Sequence, residues 1–391
     1  MKITKVDVMQ VNTPRPLWRP VIVRVYTDEG IYGDGEAALA YGRAAPAVFG
    51  ILQDYASLII GDDPLDHEVI WNKLYKNTFW AINGGPVTFA GISAIDIALW
   101  DIKGKFFNQP VYKLLGGKHR DSIRAYVGQV QGGFGDQFET LTKPDQYAEA
   151  AKQAAAAGFD ALKFDFFTHD RDGRPFIKEE QGRLLSAYYL DIIEERVAAV
   201  REAVGPNVDL IFDIHANLDL NGAIQVGKRL RKYNFFYFEE PTVPSPKLNK
   251  IIGDRIGIPL AQGERVYTRW QYAPFFENGS LQVIQPDLGN TGGITEGKKI
   301  SDLAYTYDVS VQPHSCASPL SNTVALHLEA AIPNFVIHEH NHVYYDKGNQ
   351  ELTIYNHQPI KGKFTVPELP GLGNEFSEKA LTDNIKVTVK K

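Results

Sequence analysis

Cysteine is almost absent: Cys316 is the only one in 391 residues, so no intrachain disulfide can form and a disulfide-held scaffold is excluded. Long apolar runs are missing too. No window reaches the roughly 18 consecutive apolar residues of a membrane span, and the opening "MKITKVDVMQV" alternates like a strand without the apolar core of a signal peptide. A reducing, cytoplasmic setting with no membrane partner is expected. There is no run of lysine or arginine, and a net charge of -6 gives no electrostatic footprint for nucleic acid. Against these absences stand an ordinary 44% hydrophobic and 23% charged content, enough chain for one large barrel plus a smaller domain, and small-molecule chemistry as the expectation.

Residues 1–118 read as one unit. Two alternating runs lead into "DEGIYGDGE", a hairpin signal, and then into "PAVFGILQDYASLII" and "PVTFAGISAIDIALWDIKGKFF", which are apolar at helical spacing. From residue 119 to 351 the texture changes to short apolar runs separated by amphipathic segments of crossover length. The runs are "IRAYVG", "ALKFDFF", "DLIFDIH", "FFYFEE", "IPLAQGE", "LQVIQPD", "VSVQPH" and "NFVIHE". Eight such runs predict a parallel sheet closed into a barrel. A polar interruption at 168–186 reads as an active-site loop or an insertion, and residues 352–391, Pro/Gly-rich and then charged, are expected to pack back on the N-terminal domain.

The ionisable residues that close the late runs are Asp213, Glu239, Glu264, Asp287, His314 and Glu339, at intervals of 26, 25, 23, 27 and 25 residues. That interval is one strand, one helix and two loops, so each should stand at the same end of its strand, on the face where barrel active sites assemble. A single carboxylate after a strand is usually a helix cap or a solvated residue. Three in succession, Asp213, Glu239 and Glu264, crowd negative charge that a cation must neutralise, and an all-carboxylate set suits Mg²⁺ or Mn²⁺ better than zinc.

Histidine flanks this row. His215 lies two residues past Asp213, which the strand period places on the same side, and His314 ends the seventh run, where Asp287 on the neighbouring strand is placed to orient its imidazole. Lys163 in "LKFDFF" could stabilise charge on a bound anion or simply pair with Asp165.

The segments "SAIDIALWDIKGK", "PVYKLLGG", "FDIHANL", "YFEEP", "QGER", "QPDLGNTGGITEG" and "PHSCASPL" together resemble the enolase superfamily, in particular its mandelate-racemase-like branch and the acid-sugar dehydratases of the galactonate and gluconate type. The resemblance implies a modified (β/α)7β TIM-type barrel with an α+β N-terminal capping domain completed by the C-terminal tail, assembled as a homo-oligomer. It implies one essential Mg²⁺ per subunit held by Asp213, Glu239 and Glu264, with Glu240 the lesser choice. It further implies a His314–Asp287 dyad and Glu339 beside the substrate carboxylate. Specificity in the family comes from capping-domain loops, which makes Trp18, Arg19 and Trp80 candidates for substrate contact with Asp165, although packing or surface roles fit each of the three as well.

The chemistry that follows is dehydration of a sugar acid to a 2-keto-3-deoxy acid: His314 takes the C2 proton and His215 protonates the departing C3 hydroxyl, with Lys163 stabilising the charge between. A racemase of this family is expected to carry a second lysine where this chain has Asp165, so racemisation is disfavoured. An epimerase or cycloisomerase, and a catalytically silent sugar-acid-binding protein, remain the alternatives.

Overall fold

A computed structural model describes residues 1–15, 17–135 and 138–391. The N-terminal strands β1 (Ile3–Val11), β2 (Val21–Thr27) and β3 (Tyr32–Ala37) form an antiparallel meander, to which the last strand of the chain is added beside β1. The alternation of β1 and β2 works on both faces. Val6, Val8, Val21, Val23 and Val25 pack on the helices Ala45–Ile59, His67–Asn77 and Pro86–Phe106, whereas Met9, Val11 and Ile22 join the large core that contains the barrel. In β3 the glycines of "YGDGEA" explain its direction: a Cβ on Gly33 or Gly35 would lie 2.0 or 1.9 Å from a carbonyl oxygen of the helix Pro86–Phe106. The strand therefore lies directly on that helix, and Asp34 and Glu36 point away from it.

Eight parallel strands follow: β4 (Ser122–Val127), β5 (Ala161–Phe164), β6 (Asp209–Asp213), β7 (Phe235–Glu239), β8 (Leu260–Gln262), β9 (Val283–Ile284), β10 (Ser310–Val311) and β11 (His338–His340). They pair in chain order from β4 to β10, β11 pairs with β4, and a bridge from Val311 to Phe335 closes the ring. Seven helices alternate with the eight strands: Pro144–Ala156, Ala187–Val204, Leu220–Leu230, Pro246–Ile256, Thr268–Glu277, Gly293–Thr306 and Pro319–Ala331. This is the (β/α)7β arrangement. Within the ring, Tyr126, Ala161, Ile211, Tyr237, Ala261, Val283 and Ile337 form a separate apolar cluster. Strands β9 and β10 are shorter than the apolar runs that contain them, because Pro286 and Pro313 have no N–H for the ladder.

Residues 352–391 contribute to both domains. β12 (Lys363–Thr365) pairs antiparallel with β4 of the barrel, whereas β13 (Asn384–Lys390) pairs with β1, the Phe376 amide donates to Asp34 Oδ2 at 3.0 Å and the Tyr32 hydroxyl donates to Glu375 Oε2 at 2.7 Å. Strand β4 opens the barrel sequence with a partly exposed outer end, and its free backbone groups there take the extra strand. Among the described residues no helix is long and apolar enough to cross a membrane.

Candidate active site

The carboxyl ends of β5 to β11 bring together Lys163, Asp165, Asp213, His215, Glu239, Glu264, Asp287, His314 and Glu339. Parallel pairing of β6 with β7 sets Asp213 opposite Glu239, and the side chains of Lys163, Asp213, Glu239 and Glu339 are buried. Glu264 and His314 are 14% and 15% exposed and His215 is 31% exposed, so the site opens on this side.

Lys163 stands at the centre. Its Nζ lies 3.2 Å from Asp213 Oδ2 and 2.8 Å from both Glu239 Oε1 and Glu339 Oε1, and it sits 5.3 Å from the Tyr126 ring centroid. Pairing with Asp165, the bland alternative, does not occur. Burial disfavours the ammonium, but the charges of Glu239 and Glu339 prevail and hold its pKa well above the ordinary lysine value. Burial and the neighbouring Asp213 push Glu239 up to about 8. Below Lys163, Tyr237 Oη at 3.1 Å and Gln285 Nε2 at 2.6 Å donate to Gln312 Oε1, closing the barrel interior under the site.

Two imidazoles flank the carboxylates, each with an acid of its own. His314 Nδ1 is 2.7 Å from Asp287 Oδ2, and its Nε2 is 2.9 Å from Glu264 Oε2. His215 Nδ1 is 3.3 Å from Asp165 Oδ2, and its Nε2 is 3.4 Å from Asp213 Oδ2. Against the effect of burial, Asp213 and Asp165 push His215 up to about 10. β6 and β10 are four strands apart in a ring of eight, which sets the two histidines on opposite sides of the mouth.

His215 does not reach its place by the pleat of β6, which ends at Asp213. Residues His215 and Ala216 take left-handed φ values of 50° and 56°, and Glu240 after β7 takes 43°. Non-glycine residues adopt this region only when their surroundings enforce it. Here the His215 amide donates to Asp213 Oδ1 at 3.1 Å and the Ala216 amide to the Glu240 carbonyl at 2.9 Å.

Several expectations change. Asp165 is held against His215 and accepts the Phe167 amide at 2.8 Å, so it orients an imidazole. Glu339 accepts the Ser315 amide at 2.9 Å besides pairing with Lys163. Trp18 is buried against Ala40, Val343 and Tyr344, its indole N–H donating to Asn349 at 3.3 Å. Arg19 donates to the Gly42 carbonyl, and Trp80 is 77% exposed, edge-on to Phe79. None of these three bonds to a residue of the site. The large indole of Trp18 goes where apolar surface can be covered, and that place is the seam between the domains.

The strand-end pattern does not single out Arg265. This arginine bridges Glu240 and Glu264 and so balances two buried acids; the juxtaposition of Glu264 and Arg265 in "QGER" and the second glutamate of "YFEEP" were the available signal. Even so, the acids Asp213, Glu239, Glu240, Glu264 and Glu339 face only Lys163, Arg265 and the two imidazoles. Among the described residues no three acidic or imidazole groups already form a closed cage for an ion. The donor set nevertheless fits a hard divalent cation: it is all carboxylate, short of positive charge, and Glu239 Oε2 is buried with no hydrogen-bond partner.

Residues 146–380 match the family model described as enolase C-terminal domain-like, and residues 7–116 match that of the mandelate racemase / muconate lactonizing enzyme N-terminal domain. The chain belongs to the enolase superfamily. A D-galactonate dehydratase from Pectobacterium atrosepticum is 33% identical over 395 residues, spanning 99% of this chain and 95% of that protein. A solved member of the enolase superfamily from Salmonella Typhimurium is 48% identical with a TM-score of 0.97, and a chain from Zymomonas mobilis ZM4, provisionally described as a dehydratase, is 47% identical with a TM-score of 0.96; each match covers 100% of both chains. This enolase-superfamily chain is an enzyme of the hydro-lyase class.

Proposed function

We propose that the protein is a Mg²⁺-dependent dehydratase of a sugar acid, an aldonate such as galactonate or gluconate, yielding a 2-keto-3-deoxy acid. The observation that carries this reading is the pair of imidazoles on opposite sides of the mouth, each tied to its own carboxylate. Removal of a proton from C2 and delivery of one to a leaving hydroxyl at C3 require two such groups facing one substrate from two sides.

With Nδ1 engaged by Asp287, His314 would take the C2 proton at Nε2, the nitrogen that faces Glu264 Oε2 at 2.9 Å; against the effect of burial, the charges of Glu264 and Glu339 raise its pKa well above the ordinary imidazole value, which makes its neutral form a strong base. The electron pair moves first toward the substrate carboxylate and then into a C2–C3 double bond, as the C3–O bond breaks. His215, cationic in its place between Asp213 and Asp165, gives its proton to the departing hydroxyl, which leaves as water. The enol then tautomerises to the keto acid. Lys163 supplies a buried positive charge while negative charge resides on the carboxylate. Asp213, Glu239 and Glu264 are the residues that would hold Mg²⁺, which when bound supplies an electrophile for that carboxylate. Asp165 in place of a second lysine leaves the His215 side with an acid and no amine base, against racemisation.

The test is incubation with D-galactonate and D-gluconate in the presence of Mg²⁺, with semicarbazide to trap the 2-keto product. A semicarbazone is expected. Exchange of the C2 proton without a keto product would replace this reading with epimerisation, and a ligand that raised Tm with neither exchange nor product would replace it with a binding protein.

A further inference from the structure

The segments that carry His314 and Asp287 are both fastened to the N-terminal domain. Glu36 on β3, fully buried, accepts the Ser318 amide at 3.0 Å and also the Ser318 hydroxyl, at the N-terminus of the helix Pro319–Ala331. Three residues lie between this contact and His314. The same short segment is tied again by Asn349, whose Nδ2 donates to the Ala317 carbonyl at 3.1 Å while its Oδ1 accepts from the Trp18 indole. On the Asp287 side, the Gly289 amide donates to Asp287 Oδ1 at 2.7 Å, and the Gly289 carbonyl accepts the Ala38 amide at 2.8 Å, two residues beyond Glu36. A Cβ on Gly289 would come within 2.8 Å of the Ala38 nitrogen, so the approach of β3 to this loop needs glycine. Further on, the Gly292 and Gly293 amides donate to Ser93 Oγ at 2.9 and 3.0 Å, and the Thr295 amide to Asp96 Oδ2 at 2.9 Å.

We propose that the N-terminal domain is a positioning element for the His314–Asp287 pair, with Glu36 the positioning residue that acts through Ser318. The inference rests on the assignment of His314 as the base. A buried carboxylate on a helix N-terminus is a stiff anchor, because the helix end offers several unpaired N–H groups and the macrodipole favours the negative charge. Burial and then the opposing bonds from Ser318, together with the nearby charge of Asp287, leave the Glu36 pKa at about 7. Glutamine keeps an oxygen that accepts from the Ser318 amide, whereas alanine removes the anchor entirely.

The experiment compares Glu36→Ala, Glu36→Gln and Ser318→Ala with Glu68→Ala, which breaks a different interdomain ion pair, to Lys299. Turnover is measured on D-galactonate and D-gluconate with Mg²⁺, and amide hydrogen exchange is followed over residues 313–320. Glu36→Ala is expected to lower kcat about 10- to 100-fold, the scale of a slightly misplaced catalytic group, with KM within about twofold and with faster exchange over 313–320. Glu36→Gln should restore most of both, Ser318→Ala should fall between, and Glu68→Ala should change neither. Unchanged kcat and exchange in Glu36→Ala, no rescue by Glu36→Gln, or an equal loss in Glu68→Ala would each overturn the proposal. Should the unsubstituted enzyme turn over neither acid, the substrate reading fails while the exchange measurement still decides the anchoring. Should Glu36→Ala not fold, Glu36→Gln against Ser318→Ala decides it.

Discussion

His215 and His314 are both histidines beside carboxylates, and their different places give them different work. Both have an acid at each ring nitrogen, His314 with Asp287 at Nδ1 and Glu264 at Nε2 and His215 with Asp165 at Nδ1 and Asp213 at Nε2, and in both the acids raise the pKa against the effect of burial; what separates them is the side of the mouth from which each faces the substrate. His314→Asn is therefore expected to abolish C2 deuterium exchange and to lower dehydration about 10²- to 10⁴-fold, the contribution of a positioned base. His215→Asn should abolish dehydration yet spare exchange, and NMR of the recovered substrate in D₂O separates the two. Dehydration that survives in His215→Asn would remove the acid assignment. Glu264 is the most exposed of the three acids assigned to the metal, and Glu264→Gln is expected to weaken Mg²⁺ binding. Bound ligand at about 100 times Kd adds about 2.7 kcal/mol to stability, so a rise in Tm on Mg²⁺ titration that is unchanged in the variant would refute the three-carboxylate site.

At the scale of elements, the barrel helices are capped partly by the other domain. The helix Gly293–Thr306 begins with Gly292 and Gly293 at φ 115° and 79°, their amides turned onto Ser93. A Cβ on Gly293 would fall 2.2 Å from Asp96 Oδ2, and burial already pushes the Asp96 carboxyl up to about 7. Gly293→Ala combines a strained backbone with this overlap, and a loss of about 2–4 kcal/mol is expected, read as a lower denaturant midpoint. An unchanged midpoint would show that the helix Pro86–Phe106 can move away. The regular spacing of strand ends was visible because each strand–helix unit has nearly the same length. The true strand lengths were not, since β9 and β10 stop two residues before prolines that the apolar pattern runs through.

For the molecule as a whole, the closing strand of the barrel carries a histidine buried without charge. His340 on β11 is fully buried among Phe159, Tyr344, Tyr345 and Phe364, with no partner for either ring nitrogen, and burial lowers its pKa to about 3. A histidine depressed in the folded state contributes fully above its unfolded pKa of about 6.5 and loses that contribution as pH falls toward the folded value, at about 1.4 kcal/mol per unit. His340→Phe keeps the aromatic packing and removes the titration. Its stability should fall less steeply than that of the unsubstituted protein between pH 6 and 4 by denaturant melts, and equal slopes would contradict a neutral buried His340.

What the sequence determined by itself is whatever repeats or is local: eight apolar runs, the amphipathic segments between most of them, and the acids and histidine that recur at strand ends about 25 residues apart. Side chains at equivalent points of a repeating unit must share a face, so the row from Asp213 to Glu339 needed no coordinates. Only the tertiary structure decided which charges pair. Lys163 took Asp213, Glu239 and Glu339 in place of its neighbour Asp165, because the barrel turns side chains of other strands onto one point, whereas β5 ends at Phe164 and Asp165 beyond it is held by His215 and the Phe167 amide. Likewise, no periodicity in the chain announces that Glu36, 282 residues from Ser318, anchors the segment that carries His314. That contact exists because two glycines let β3 lie flat on a helix, and the space this leaves is filled from the barrel side.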